Sequence, residues 1–150
     1  SKNVSKISLT NTQKVSKCKV DLYIEKALTG KFYLLKGVEL PIGATLVYEA
    51  PVMIKTSANE FGLYIKLTDG ATFTLTGSID PAASTTVPGS GTAFLSEISV
   101  GDDIVVSGET KTVSAIASDT SLTVSSAFSD NANDTSPDCN PTALVDVIIN

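Results

Sequence analysis

The first seventy residues alternate between apolar and polar positions with the two-residue period of β-strands. The clearest case is "KCKVDLYIE" (17–25), where apolar residues hold the even positions, and the odd positions carry polar residues and Tyr23. Residues i and i+2 share a face, so one face of this strand is predicted to be buried. Turns at 28–30 and 41–45 separate it from its neighbours. The other predicted strands are 6–9, 31–40 with a bend at Gly37, 46–54 and 61–67.

Beyond residue 70 the chain becomes rich in Thr, Ser, Gly and Ala, but strand-like patterns continue. No helical period of useful length is visible, and turn signals recur about every 8–12 residues in the first module, so the prediction is an all-β protein. "VPGSG" (87–91) and "SVGD" (99–102) are predicted to be tight turns, and 129–141 a polar loop. The predicted strands are 72–79, 92–98, 103–108, 109–118 and 121–128, the last three forming a meander.

The distribution of charge suggests two modules within the 150 residues. Residues 71–142 contain one lysine and nine acidic residues, whereas the rest contains ten lysines and seven acids, and together they give the net charge of −5. A chain of this length can form one ordinary domain or two small ones. A division of charge this clear favours two modules with different surroundings.

The closing segment "ALVDVIIN" (143–150) reads as one β-strand and resembles the first module in composition. We therefore predict a discontinuous domain, 1–70 plus 143–150, whose sheet is completed by the last strand. Residues 71–142 would be an insertion in one of its loops, where insertions are well tolerated. The alternative is that 143–150 pairs within the second module.

The composition argues against catalysis, metal binding and nucleic-acid binding. The chain has no His and no Trp, and all 11 basic residues are Lys. Lack of His removes the usual general base, the commonest zinc ligand and the serine or cysteine triads. Lack of Arg and a net charge of −5 oppose nucleic-acid binding. We expect no enzyme, no cofactor and no bound metal. No apolar run approaches the ~20 residues of a membrane helix, so no membrane partner is expected.

Three features could still carry chemistry. Asp102–Asp103 could hold a metal or act as an acid/base pair, but is more typical of a turn that enters a strand. The oxygen-rich stretch 130–138 lacks the spacing and glycine of a calcium loop, which favours a solvated loop. Cys18 and Cys139 are expected to be free thiols in a chain made in the cytosol. A disulfide between them is the alternative.

The best candidates for a binding surface are lysines and tyrosines of the first module. The lysines could form a basic face for an acidic partner or a plain solvated face. The tyrosines alternate with apolar residues, so some should face outward and offer a protein–protein patch. A sugar-stacking role is less favoured, because aromatic residues are 6% of the chain. The candidate residues are Lys17, Lys19, Tyr23, Lys31, Tyr33 and Tyr64, with Lys36 beside them.

Several stretches resemble a known module. "SLTNTQKVSKCKVDLYIE", "YLLKGVELPIGATLV" and "VDVII" are similar to an immunoglobulin-like β-sandwich common in virion structural proteins of tailed bacteriophages, marine and cyanobacterial ones above all. "GTAFLSEISVGDDIVVSGETKTVSAIASDTSLTVSSAF" (91–128) resembles a small SH3-like β-barrel of phage tail, fibre and capsid-attached proteins. Neither family brings catalytic residues to this chain.

The resemblance implies a virion protein assembled in the host cytoplasm. Its expected function is a capsid decoration (cement) protein that docks on the head shell, with the major capsid protein or other virion proteins as partners and with self-association on the particle. A tail, neck or fibre-associated protein and a host-surface glycan-binding module are the alternatives.

Overall fold

The computed structural model describes residues 2–26, 29–54, 61–129 and 132–150. They form β-strands joined by short turns and one helix of a single turn, which confirms the all-β class. In chain order the elements are β1 (Lys2–Asn11), β2 (Cys18–Lys26), β3 (Gly30–Leu40), β4 (Thr45–Ile54), β5 (Gly62–Thr68), β6 (Phe73–Thr74), β7 (Ser78–Ile79), β8 (Thr86–Ser90), α1 (Phe94–Glu97), β9 (Asp103–Val106), β10 (Glu109–Ser118), β11 (Ser121–Val124), β12 (Asp138–Asn140) and β13 (Val145–Ile149).

The chain divides into two compact units. Unit 1 contains Ser1–Gln13, Lys17–Asp69 and Ala143–Asn150, and unit 2 contains Lys14–Ser16 and Gly70–Thr142. The closing strand β13 pairs antiparallel with β1 of unit 1. That the two predicted domains, 1–70 with 143–150 and 71–142, also fold independently stays a prediction.

Unit 1 contains two three-stranded antiparallel sheets, ordered β13-β1-β4 and β3-β2-β5. The alternation in β2 sends Cys18, Val20 and Leu22 inward, and each is at most 2% exposed. The predicted bend lies at Gly37, which has a φ of +62°, where the pairing of β2 with β3 shifts register. The buried core draws on strands of both sheets: Val4, Ile7, Leu9, Cys18, Val20, Leu22 and Leu40.

Unit 2 contains one seven-stranded sheet in the order β6-β12-β9-β10-β11-β8-β7. Strands β9, β10 and β11 form the predicted antiparallel meander, and β10 has the predicted bounds. The buried core of this unit is Leu75, Ile79, Val87, Phe94, Ile98, Ile104, Val106, Val113, Leu122, Val124, Phe128 and Cys139.

The strand predicted at 92–98 is wrong, because this segment forms helix α1. Phe94 begins the helix and Ile98 follows its last residue; both are fully buried, and the Ile98 N–H donates to the Phe94 carbonyl at 3.1 Å. The Asp119 carboxylate accepts the Leu95 N–H at 3.0 Å, and the Asp119 carbonyl accepts the Thr92 hydroxyl at 2.6 Å. These contacts come from the turn between β10 and β11, so the local pattern could not reveal them.

The turn predicted at 87–91 is also wrong, because most of it belongs to β8. This strand pairs with β11 on one side and with β7 on the other, and Val87 is fully buried. Gly89 allows close packing, since an added Cβ would come within 2.8 Å of the Phe94 ring. Likewise β12 lies inside the predicted loop 129–141, where it pairs with β6 and β9.

Both cysteines are free thiols, as expected, and each is buried in a different core. Cys18 lies in the core of unit 1, and Cys139 in the core of unit 2. Burial, reinforced by Asp69, raises the pKa of Cys18. Burial, followed by the charge of Asp102, raises the pKa of Cys139 to about 12. Both thiols are therefore protonated at neutral pH and react only when their units open.

The helix α1 has four residues, and no helix in the described part of the chain is long and apolar enough to cross a membrane.

Candidate interaction surface

Three of the predicted binding residues meet on the outer face of the sheet β3-β2-β5. Tyr23 on β2 lies directly opposite Tyr33 on β3 and Tyr64 on β5. The alternation of β2 explains this position, because Tyr23 occupies an odd position while Leu22 fills the core. We call Tyr33, Tyr23 and Tyr64 the tyrosine row.

The rings of the tyrosine row contact each other. The Tyr23 and Tyr64 rings stack with centroids 5.5 Å apart and an angle of 16°, and the Tyr23 and Tyr33 rings lie 5.6 Å apart, tilted by 49°. As a result Tyr23 is only 8% exposed, whereas Tyr33 and Tyr64 are 43% and 47% exposed. Tyr23 therefore supports the two outer rings, and those two offer surface to a partner.

Two lysines flank the tyrosine row on β3. The Lys31 ammonium lies 4.7 Å from the centroid of the Tyr23 ring and 3.9 Å from the Glu25 carboxylate. Hydrogen bonding to Tyr23, followed by the charge of Glu25, raises the pKa of Lys31. The Lys36 ammonium lies 4.8 Å from the centroid of the Tyr33 ring. Cation–π contacts of this kind hold lysines that would otherwise sample many rotamers.

The remaining predicted residues, Lys17 and Lys19, lie toward the other end of β2. The Lys17 ammonium is 2.9 Å from the Glu39 carboxylate, and both side chains are largely exposed. Lys19 is exposed and lies opposite Glu39 on β3. The surface is therefore mixed in charge, because Glu25 and Glu39 stand among the lysines that the sequence singled out. Alternating signs suit a partner that also carries both charges.

Gly62 determines how the Tyr64 ring lies, and sequence reasoning missed it. A Cβ at Gly62 would come within 2.9 Å of the Tyr64 ring, so the ring covers the glycine on the same strand. Aromatic side chains commonly cover strand glycines in this way. The pair "G-x-Y" within a predicted strand was the available signal, since positions two apart share a face.

Comparison of the chain with protein-family models, with curated proteins and with solved structures found no match. A proposal for function therefore depends on the chemistry of the tyrosine row and on the resemblance of the sequence.

The acid pair Asp102–Asp103 binds groups of the protein itself. Asp102 is fully buried, and its carboxylate accepts the main-chain N–H of Ser99 at 2.8 Å and of Thr142 at 2.9 Å. The Asp103 carboxylate accepts the Thr112 hydroxyl at 2.6 Å. These contacts support the expectation that the pair belongs to a turn entering a strand.

The acids of the 130–138 stretch that the structure describes are also engaged. The Asp134 carboxylate accepts the N–H groups of Ser107 and Ser136, and the Asp138 carboxylate accepts the Thr74 hydroxyl. Within the described ranges, no three His, Cys, Asp or Glu side chains are placed to hold a metal ion together. Asp130 and Asn131 lie outside the described residues.

Glu109 joins the start of β10 to the segment that follows β11. Its carboxylate accepts the N–H and the hydroxyl of Ser129, at 2.8 and 2.7 Å, and lies 2.6 Å from the Lys111 ammonium. The hydrogen bond from Lys111, followed by those from Ser129, lowers the pKa of Glu109 to about 2.

The contribution of Glu109 to stability should depend on pH. A carboxyl whose pKa is lower in the folded state stabilises that state above its unfolded pKa of about 4.5, and the contribution disappears as the pH falls toward 2. We expect Glu109→Gln to lower the melting temperature at pH 7 and to have little effect near pH 2. Thermal denaturation across this range measures the difference between the two proteins. A difference that grows as the pH falls would contradict the assignment.

Proposed function

We propose that this chain is a non-enzymatic structural protein of a tailed-phage virion, and specifically a capsid decoration protein that docks on the head shell. In this proposal unit 1 is an immunoglobulin-like sandwich and unit 2 an SH3-like barrel. The partners are the major capsid protein or other virion proteins, and the protein is placed on the virion after assembly in the host cytoplasm. The observation that carries the docking proposal is the tyrosine row.

The tyrosine row has the properties of a protein-binding patch. Tyr33 and Tyr64 expose nearly half of their surface but are held by contacts with Tyr23. Because these side chains are already ordered, a partner binds them at a small entropic cost. Buried tyrosines at the centre of an interface commonly contribute most of its binding energy, and a polar rim excludes water around them. Lys31 and Lys36, with Glu25, supply such a rim.

The same geometry favours protein docking over glycan binding. Sugars stack on the flat face of an aromatic ring, but Tyr64 turns one ring face to Tyr23. Lys31 lies over the Tyr23 ring and covers a ring face on which a sugar could otherwise stack. A decoration protein needs only contact area, since many weak contacts repeated over a shell act together through avidity. Bridging adjacent shell subunits in this way restrains the shell against the pressure of packaged DNA.

Immunogold electron microscopy tests this proposal on purified virions of the phage that encodes the chain. Gold distributed over the heads supports a decoration protein. Gold confined to the neck, tail or fibres replaces it with the tail-associated alternative. If purified virions carry no label while the lysate contains the protein, the virion proposal itself is wrong. A glycan-binding module is then tested by binding to host cells before and after removal of surface polysaccharide.

Substitution in the tyrosine row should weaken docking. We expect the double variant Tyr33→Ala, Tyr64→Ala to bind isolated heads at least about 30-fold more weakly, because a single hot-spot residue already contributes about 2 kcal/mol or more. Co-sedimentation with heads stripped of this protein measures the change. Leu95→Ala is the matched control, since Leu95 is 53% exposed and belongs to unit 2. Equal binding by the double variant and the control would exclude the tyrosine row as the docking surface.

A further inference from the structure

The closing strand β13 forms an edge of its sheet and is unusually apolar for an edge. Among the described strands it pairs with β1 alone. Val147, Ile148 and Ile149 are 41%, 59% and 53% exposed. An exposed apolar edge is a template on which another strand can add.

The hydrogen-bonding pattern shows which backbone groups point away from β1. Lys6 and Asn150 exchange two hydrogen bonds, Asn150 N–H to the Lys6 carbonyl at 2.9 Å and Lys6 N–H to the Asn150 carbonyl at 3.1 Å. Such pairs alternate along an antiparallel ladder, so the even-numbered residues of β13 bond to β1. The Thr12 N–H, which bonds the Leu144 carbonyl at 2.9 Å, has the same phase. Val145, Val147 and Ile149 therefore direct their N–H and C=O groups to the open edge.

The side chains of this edge are incompletely covered on the core side. Val147 lies opposite Leu9, and Ile149 lies opposite Ile7, so both side chains share the face that the core of unit 1 occupies. Leu9 and Ile7 are fully buried, yet their partners on β13 remain about half exposed. One more strand beside β13 would cover these side chains and bond the free backbone groups.

The opposite sheet protects its edge, whereas β13 does not. Edge strand β3 carries Lys31 and Lys36 and a glycine at its irregular step, Gly37, all of which hinder the addition of a strand. Strand β13 has a single charge, Asp146, and contains no lysine, proline or glycine.

We propose that β13 of one copy pairs antiparallel with β13 of a second copy about a two-fold axis at Val147. This register places Val147 beside its own counterpart and Val145 beside Ile149, the residues whose backbone groups point outward. It also places Asp146 opposite Ile148, so that no like charges meet. A second copy fits this edge because the strand is complementary to itself, as an isologous interface requires. The β13-β1-β4 sheet of one copy and the same sheet of the second copy then become one continuous sheet.

Sedimentation equilibrium of the full chain over a wide concentration range tests the pairing. The expected result is a reversible monomer–dimer equilibrium. Val147→Pro should raise the dimer Kd at least about tenfold, because the missing N–H belongs to the interface and not to the ladder with β1. Val147→Lys keeps the backbone donor and should have a comparable effect, because it brings two ammonium groups together at the axis. It tests the proposal even if the proline variant does not fold.

Val47→Lys is the matched control, since Val47 is 45% exposed and lies on β4, the other edge strand of the same sheet. It should leave the dimer Kd unchanged. A chain that remains monomeric at every concentration overturns the proposal, as does a control variant that weakens the dimer as much as Val147→Lys. The pairing does not involve the tyrosine row, so either result leaves docking on the head as a separate question.

Discussion

A chain that ends at Thr142 is expected to lose the folded structure of unit 1. The truncation removes β13, whose pairing with β1 extends from Ile7 to Asn11, and the backbone bonds of Ser5, Lys6 and Thr12 to the closing segment. It also removes Ala143 and Val145, which pack against the core. At about 1 kcal/mol for each hydrogen bond, the loss should be about 5 kcal/mol or more, comparable to the total stability of a small domain.

The tyrosines make this loss measurable in unit 1 alone. The chain has four tyrosines and no tryptophan, and every tyrosine lies within residues 23–64. Near-ultraviolet circular dichroism of the tyrosine band therefore monitors unit 1 without a contribution from unit 2. We expect the signal to be weak at 25 °C and to lack a cooperative transition. If the truncated chain melts at the same temperature as the full chain, unit 1 does not depend on its last strand.

The complementary variant removes the insertion and keeps the last strand. The Ala143 N–H donates to the Asp69 carboxylate at 2.8 Å, so the two ends of the insertion lie side by side. A short glycine–serine linker in place of 70–142 can therefore join them without strain. This variant should keep the near-ultraviolet signal and a cooperative transition. Failure of a well-expressed variant to fold would show that unit 1 requires unit 2.

Substitution of Asp102 should produce the largest effect of a single residue, and the effect should fall on unit 2. Removing its carboxylate leaves the N–H groups of Ser99 and Thr142 without this acceptor, at a site that is fully buried. An unsatisfied buried donor costs about 1–3 kcal/mol, so Asp102→Ala should destabilise unit 2 by about 4 kcal/mol. Asp102→Asn keeps one acceptor oxygen and should cost about half as much.

Cys139 reports on this change, because its buried thiol reacts only when unit 2 opens. Labelling by a thiol reagent, with mass spectrometry to separate Cys139 from Cys18, should be much faster at Cys139 in Asp102→Ala than in Asp102→Asn, which also removes the charge that raises the pKa of this thiol. The tyrosine band of unit 1 should remain. Asp103→Asn is the neighbouring control. The Asp103 carboxylate accepts the Thr112 hydroxyl at an exposed site, so this substitution should destabilise unit 2 by less than about 1 kcal/mol. Equal labelling of Cys139 in Asp102→Ala and in Asp103→Asn would contradict a special role for Asp102.

Much of the strand structure could be predicted from local pattern. The alternation in 17–25 identified β2 and its buried residues, and the run 109–118 gave β10 its bounds. These predictions succeed because the two-residue period is written into the sequence wherever one face of a strand is buried. The change in composition after residue 70 and its reversal at 143 also suggested that the last strand returns to the first module, and β13 does pair with β1.

The candidate surface was predicted in its residues but not in its arrangement. Tyr23, Tyr33 and Tyr64 were predicted to include outward-facing side chains, and Tyr33 and Tyr64 are exposed. That Tyr23 is covered by the other two rings follows from the pairing register of β2 with β3 and β5, which is a property of the sheet. The same registers bring Glu25 and Glu39 among the lysines, which changes a basic face into a mixed one.

The sequence by itself determined the all-β class, most strand positions and the three tyrosines among which the exposed ones lie, because period and composition are local properties. The tertiary structure decided the elements whose contacts come from distant residues. Helix α1 forms where Asp119 binds its first turn, and β12 forms between two strands that precede it by more than thirty residues. Asp102 became a buried acceptor because the chain returns to it at Thr142. In each case the deciding partner is far away in the chain, and no local pattern encodes which distant group will arrive.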